Sequence, residues 1–226
     1  KSKKVSKIFC FPGNAGTDLI AQNVNLDPDN FSEIEKHCVQ NNIKMLVVGP
    51  EKPLVKGIVN HFKDKSIKVF GPDMISSKLE GSKIFTKKIC QKYNIPTSKF
   101  KICESLNETI EYLKNSYFPL VIKADGLASG KGVYVCENFN DAKKASEEIF
   151  NGKFGLAEQI LIEEFLDGEE MSYFIVTDGK NYKFFGSAQD HKRIGEGDTG
   201  KNTGGMGCYS PSRLLSKDLE FKIKTK

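Results

Sequence analysis

Lys123-Ala124-Asp125-Gly126-Leu127-Ala128-Ser129-Gly130-Lys131-Gly132-Val133 is the stretch on which the reading of this chain turns. An apolar run, Leu120 to Ile122, enters it, and another, Val133 to Val135, leaves it. Between them lie Gly126, Gly130 and Gly132, with Lys123 and Lys131. Glycine has no Cβ, so backbone N–H groups approach an anion closely. Lysine adds a point charge suited to phosphate. A P-loop needs four residues between its first glycine and Gly-Lys, then Ser or Thr opening a helix. Here three residues intervene, Gly132 follows the lysine, and the next segment is β-rich. A dinucleotide fingerprint must open a helix too. The stretch therefore reads as a glycine loop joining two antiparallel strands and folding over nucleotide phosphates. An ordinary glycine-rich hairpin turn satisfies the same residues, and the loop alone does not choose.

Upstream, strands and helices alternate. Val5 to Phe11 reads as a strand entering the turn Pro12-Gly13-Asn14-Ala15-Gly16. Phe31 to Asn41 has helical spacing, with Phe31, Ile34, Cys38 and Val39 on one face and Asp29 or Asn30 as cap. Met45 to Val48 is a buried-type strand ending at Gly49-Pro50-Glu51. Leu54 to Lys65 reads as a helix and Ile67 to Phe70 as a strand. This alternation implies a parallel α/β sheet, whose ligands sit at the carboxyl ends of strands. Ser76 to Tyr93 is helix-rich and stops before Pro96. Downstream comes a small α+β unit: a strand at Phe100 to Cys103, a helix at Leu106 to Asn115, the glycine hairpin, a helix at Asp141 to Phe150 and a strand at Gln159 to Ile162. Met171 to Thr177 and Tyr182 to Ala188 read as a hairpin. Gln189 to Gly207 is polar, glycine-rich and without periodicity, and reads as a long loop.

The chain has 226 residues, 38% hydrophobic and 28% charged, enough for a buried core. Its net charge of +5 comes from 34 basic and 29 acidic residues interleaved along the sequence. That pattern gives weak support for an anionic substrate and little for nucleic acid. Six scattered cysteines without a C-x-x-C pair read as reduced thiols. No apolar stretch approaches the roughly 20 residues needed to cross a bilayer. No signal peptide opens the chain, so the expectation is a cytoplasmic protein with neither nucleic-acid nor membrane partner. The three histidines are too far apart for a zinc site.

Lys83 on a helix, Lys123 on a strand, the glycine loop and an apolar strand ending in acids occur in an order that suits ATP. In sequence, Pro12 to Thr17, Val47 to Glu51, Leu79 to Lys83, Lys123 to Val133, Glu163 to Glu170, Gln189 to Arg193 and Asn202 to Gly207 resemble the phosphoribosylamine–glycine ligases of the ATP-grasp superfamily. The resemblance covers nearly the whole chain. It implies an N-terminal α/β parallel-sheet domain, Rossmann-like and pre-ATP-grasp, over 1–80. It implies the start of an ATP-grasp core over 81–100, a small α+β lid over 101–165 and a truncated continuation of the core over 166–226.

The resemblance further implies ATP-dependent, ADP-forming ligation of glycine to 5-phosphoribosylamine through a glycyl phosphate, giving glycinamide ribonucleotide for purine synthesis. Lys83, Lys123 and the loop Gly126, Gly130, Lys131 and Gly132 would hold ATP phosphates. Glu163, Glu164, Phe165 and Leu166 would form the adenine hinge, and Glu170 would take the ribose. Asp190, His191, Lys192 and Arg193 would lie near the substrates, with Asp190, His191 and Arg193 as the catalytic candidates, though His191 suits a structural role better. Gly13, Asn14, Pro50 and Glu51, with Asn202, Thr203, Gly204 and Gly205, would border the small-molecule substrates. The family's opening glycine-rich segment is absent, Lys201 stands where proline is common, and ligands for Mg²⁺ or Mn²⁺ are expected downstream of Lys226. The chain is accordingly expected to be a fragment, with fusion to other purine-pathway domains left open. Two alternatives remain: an ATP-grasp carboxylate–amine ligase of other specificity, and a nucleotide-binding module without catalysis.

Overall fold

The structure, a computed structural model, describes residues 2–127, 132–197 and 199–225, with the backbone alone at Lys201 and Asn202. Gly130 and Lys131 of the glycine loop thus lie outside the described residues. Two compact units divide the chain, Lys1–Thr86 and Lys87–Lys226.

In the first unit β1 (Phe9–Cys10) leads through α1 (Ala15–Asp18) to β2 (Gln22–Asn23), its parallel partner. After α2 (Phe31–Gln40), β3 (Met45–Val47) passes through α3 (Glu51–Val55) and α4 (Ile58–His61) to β4 (Lys68–Phe70), again in parallel. Ile34, Cys38, Leu46, Ile58, Phe62 and Ile67 form the core. The Asn30 side chain caps α2 by accepting from the Glu33 amide at 3.2 Å. Four sequence expectations need correction. The strand expected to be of buried type at Met45 to Val48 buries Leu46 but leaves Met45 and Val47 exposed, because only one of its faces packs on the core. The strand expected over Val5 to Phe11 shrinks to Phe9–Cys10. The helix expected over Leu54 to Lys65 is two short ones, because Gly57 takes φ +89° between them. Val39 is exposed: at 100° per residue it lies 100° round the helix from Cys38, off the apolar stripe. α5 (Lys78–Gly81) and α6 (Lys83–Tyr93) follow, α6 crossing the division between units.

The second unit opens with β5 (Phe100–Cys103), α7 (Leu106–Lys114), β6 (Leu120–Ala124), β7 (Val133–Cys136), α8 (Phe139–Phe150) and β8 (Ile160–Glu164). Their strands form one antiparallel sheet in the order β5-β8-β6-β7. Strand side chains alternate between faces. Leu120, Ile122 and Ala124 of β6, with Ile160 and Ile162 of β8, point into a core shared with Leu113 of α7 and Ala142, Ala145 and Ile149 of α8. Each fully buried isoleucine contributes about 2 kcal/mol of transfer free energy. Ser105 and Asn138 cap the two helices through the Glu108 and Asp141 amides. Alternation then sends Lys123 and Glu163 to the other face of the sheet.

Beyond β8 come β9 (Ser172–Thr177) and β10 (Tyr182–Asp190), then β11 (Arg193–Gly195), β12 (Thr199–Asn202), β13 (Cys208–Tyr209) and α9 (Lys217–Thr225). β10 lies between β9 and β13, and β11 pairs antiparallel with β12. The loop expected over Gln189 to Gly207 is therefore a short hairpin flanked by strand. Its strands are too brief, and too rich in glycine, to show a period of two.

Candidate functional site

Lys123 and Glu163 are diagonal neighbours on β6 and β8. The ladder sets Lys123 opposite Leu161 and Val121 opposite Glu163. That diagonal is within reach of long side chains, and Lys123 Nζ meets Glu163 Oε2 at 2.7 Å. Lys87 of α6 brings a second ammonium to the same carboxylate, 3.0 Å from Oε1. The Lys87 ammonium also donates to Thr97 Oγ1 and Ser98 Oγ, each at 2.6 Å, and stands 5.4 Å from the centroid of the Phe100 ring. Lys87 and Glu163 are buried, while Lys123 keeps 27% of its side chain exposed. Burial pushes the Glu163 carboxyl up, but hydrogen bonds and charge from Lys123 and Lys87 outweigh it and hold the group below its ordinary 4.5.

Around this cluster the expected nucleotide residues fall as follows. The Ala124 amide donates to the Gly132 carbonyl at 2.8 Å, closing the base of the glycine loop beside Lys123. Gly126 and Gly132 are described there, and Gly130 and Lys131 are not. Glu163 spends its backbone in the β5-β8-β6 ladder and its side chain on the two lysines. Glu164 is tied to β5, accepting from the Lys99 amide at 2.7 Å. Phe165 and Leu166 lie past the end of β8, with Leu166 66% exposed, so their backbone is outside the ladder. Glu170 is exposed and pairs with Lys192. That contact, first through its hydrogen bond, raises the Lys192 pKa and joins the segment after β8 to the one after β10.

Asp190, His191 and Arg193 and the residues 202–205 are brought together by the β11–β12 hairpin and β13. The His191 amide donates to the Gly207 carbonyl at 2.9 Å, and the Met206 amide returns to the His191 carbonyl at 2.7 Å. The His191 ring lies 5.9 Å from that of Tyr209. Arg193 stands opposite Asn202. The Thr203 amide and hydroxyl both donate to the Lys192 carbonyl, and the Gly205 amide donates to Thr203 Oγ1 at 3.0 Å. Gly204 follows within the same turn.

The remaining expected residues belong to the first unit. Gly13 has φ +84°, and a Cβ there would fall 2.1 Å from Asn23 Oδ1, so glycine is required. The Asn14 carboxamide caps α1, accepting from the Gly16 and Thr17 amides at 2.8 and 3.0 Å. Pro50 precedes α3 and Glu51 opens it, just past the carboxyl end of β3. Lys83 opens α6, also within the first unit.

Sequence reasoning missed Lys87, Thr97 and Ser98. A signal for Lys87 exists: it follows buried Ile84 by three positions, so a lysine sits on the inward stripe of α6. Among the described residues no group of three or more His, Cys, Asp or Glu stands ready for a metal. No helix among the described residues is long and apolar enough to cross a membrane.

Two family models match the chain: the phosphoribosylglycinamide synthetase N domain over residues 1–80 and the ATP-grasp (A) domain of the same synthetase over residues 81–226. A phosphoribosylamine–glycine ligase of Clostridium acetobutylicum is 43% identical over 226 residues, covering 97% of this chain and 53% of the relative. A chloroplastic phosphoribosylamine–glycine ligase of Arabidopsis thaliana is 44% identical, covering 97% of this chain and 42% of the relative. The crystal structure of a Thermotoga maritima phosphoribosylamine–glycine ligase superposes with TM-score 0.81 at 32% identity, over 98% of this chain and 54% of that one. A biotin carboxylase domain from Hydrogenobacter thermophilus shares the fold alone, with TM-score 0.72 at 16% identity over 96% of this chain and 50% of that one. The chain spans about half the length of the curated relatives it matches.

Proposed function

The chain belongs to the phosphoribosylglycinamide synthetase family, and from that premise we propose that the whole protein joins glycine to 5-phosphoribosylamine using ATP. The γ-phosphoryl group passes to a carboxylate oxygen of glycine, and ADP leaves. The amine nitrogen then attacks the acyl carbon, the C–N bond forms, the bond to the phosphate oxygen breaks, and the nitrogen loses a proton. A carboxylate is a poor electrophile, and phosphorylation supplies its leaving group. Phosphoryl transfer depends on positioning and cations more than on a covalent nucleophile.

The observation that carries this reading is the cationic face of the antiparallel sheet. Lys123 stands beside the base of the glycine loop and is anchored to Glu163, where β8 ends and leads into Phe165 and Leu166. In this reading the Lys123 ammonium meets the phosphates, and the backbone of Phe165 and Leu166, past the end of β8, meets an adenine edge. Lys83 and the described loop glycines Gly126 and Gly132 join it as phosphate ligands in this reading, with Glu170 at the ribose. Arg193, with Asp190 and His191, serves the reacting carboxylate, and the turn 202–205 offers backbone amides to the amine substrate. Gly13, Asn14, Pro50 and Glu51 border the phosphoribosylamine.

Isotope transfer tests the reaction. The whole protein, given glycine labelled with ¹⁸O in its carboxylate, phosphoribosylamine and ATP, is expected to release inorganic phosphate carrying one ¹⁸O per turnover. Unlabelled phosphate, or ADP formation independent of glycine, would contradict a glycyl phosphate route.

A further inference from the structure

We propose that Lys87 is a positioning residue: by holding Glu163 Oε1 it leaves Oε2 alone to orient Lys123, so that the buried cluster presents one net positive charge to a nucleotide polyphosphate. This rests on the ATP reading above and extends it to a residue not on the nucleotide.

An ammonium has three donors. Those of Lys87 go to Thr97 Oγ1, Ser98 Oγ and Glu163 Oε1. None is left for a ligand, and the side chain is buried. Lys87 therefore acts through Glu163. The Lys123 ammonium has Glu163 as its partner among the described residues, which leaves donors for phosphate, and it is the more exposed of the two. Two lysines and one carboxylate sum to +1 in a setting where water screens poorly. Remove Lys87 and the sum falls to zero. Oε1, left without its partner, then competes for the donors of Lys123 and draws them from the ligand. The arrangement also answers why a cation is buried behind a carboxylate: a lone Glu163–Lys123 pair would neutralise the charge that the site needs.

The test compares the ATP analogue AMP-PNP with adenosine, which carries no phosphate, in equilibrium binding to the whole protein. Lys87→Met is expected to weaken AMP-PNP binding about tenfold while adenosine binding stays within about twofold. Lys87→Arg, which keeps the charge, is expected to restore the AMP-PNP to adenosine ratio to within about threefold. Loss of fold would lower both ligands together, so the ratio separates positioning from stability. An unchanged ratio in Lys87→Met overturns the proposal. Should that variant fail to fold, Thr97→Val with Ser98→Ala, which removes two anchors of Lys87, is read in its place. Its expected drop in the ratio is about threefold, and no drop overturns the proposal. Lys123→Ala is run in parallel. If it leaves AMP-PNP binding intact, the ATP reading of this face fails and the role of Lys87 fails with it. If it abolishes binding while Lys87→Met does not, only the role of Lys87 fails.

Discussion

Glu163 shows how one side chain is settled by competing effects. Burial alone would favour its neutral form, yet two lysines on separate oxygens hold it ionised, with its pKa below 4.5. A carboxyl depressed on folding adds stability in full above its unfolded value and loses it as pH falls through the folded value. Glu163→Gln is therefore expected to destabilise the protein strongly at pH 7, by about 3 kcal/mol, because it strands a buried lysine. The deficit should shrink as pH drops below 4.5, where the wild-type carboxyl protonates. Melting temperatures of both proteins between pH 7 and pH 3 check this, and a constant difference across that range would count against the ionised cluster. The sequence singled out Glu163, but for its backbone. Its side-chain partners were not legible, because Lys87 and Lys123 lie 76 and 40 residues before it and reach it only in the fold.

At the scale of elements, local chemistry set most of what the sequence revealed. The Asn30 cap, the apolar run of β6 and the Asp178-Gly179 turn between β9 and β10 each follow from neighbours in the chain. What stayed hidden depended on glycine or on brevity: the break at Gly57 and the β11–β12 hairpin. The β9–β10 turn carries its own prediction. Amides of Asn181 and Lys180 donate to the Asp178 carboxylate at 2.6 and 2.9 Å and, first among its causes, lower its pKa to about 2. These bonds should fasten the hairpin at all pH values above the ordinary 3.8 and release it as pH falls through about 2. An NMR titration of the Asp178 side-chain carbon is expected to show that low midpoint. A midpoint near 3.8 would mean that the turn is not closed by the carboxylate.

For the whole molecule, alternation of strands and helices identified the parallel first unit, and the order of its motifs identified the second. Pairing between distant segments was beyond reach of sequence periodicity. The joining of Glu170 to Lys192, and of residues 190–193 to 202–207, depends on tertiary contacts that no local pattern encodes. The central claim is that the face carrying Lys123 and Glu163 receives the phosphates of ATP. A crystal structure of the whole protein with AMP-PNP tests it most directly. The expected result is a phosphate oxygen within about 3 Å of Lys123 Nζ, with Glu163 still bridging Lys123 and Lys87. A nucleotide bound elsewhere, with Lys123 engaged by Glu163 alone, would contradict it.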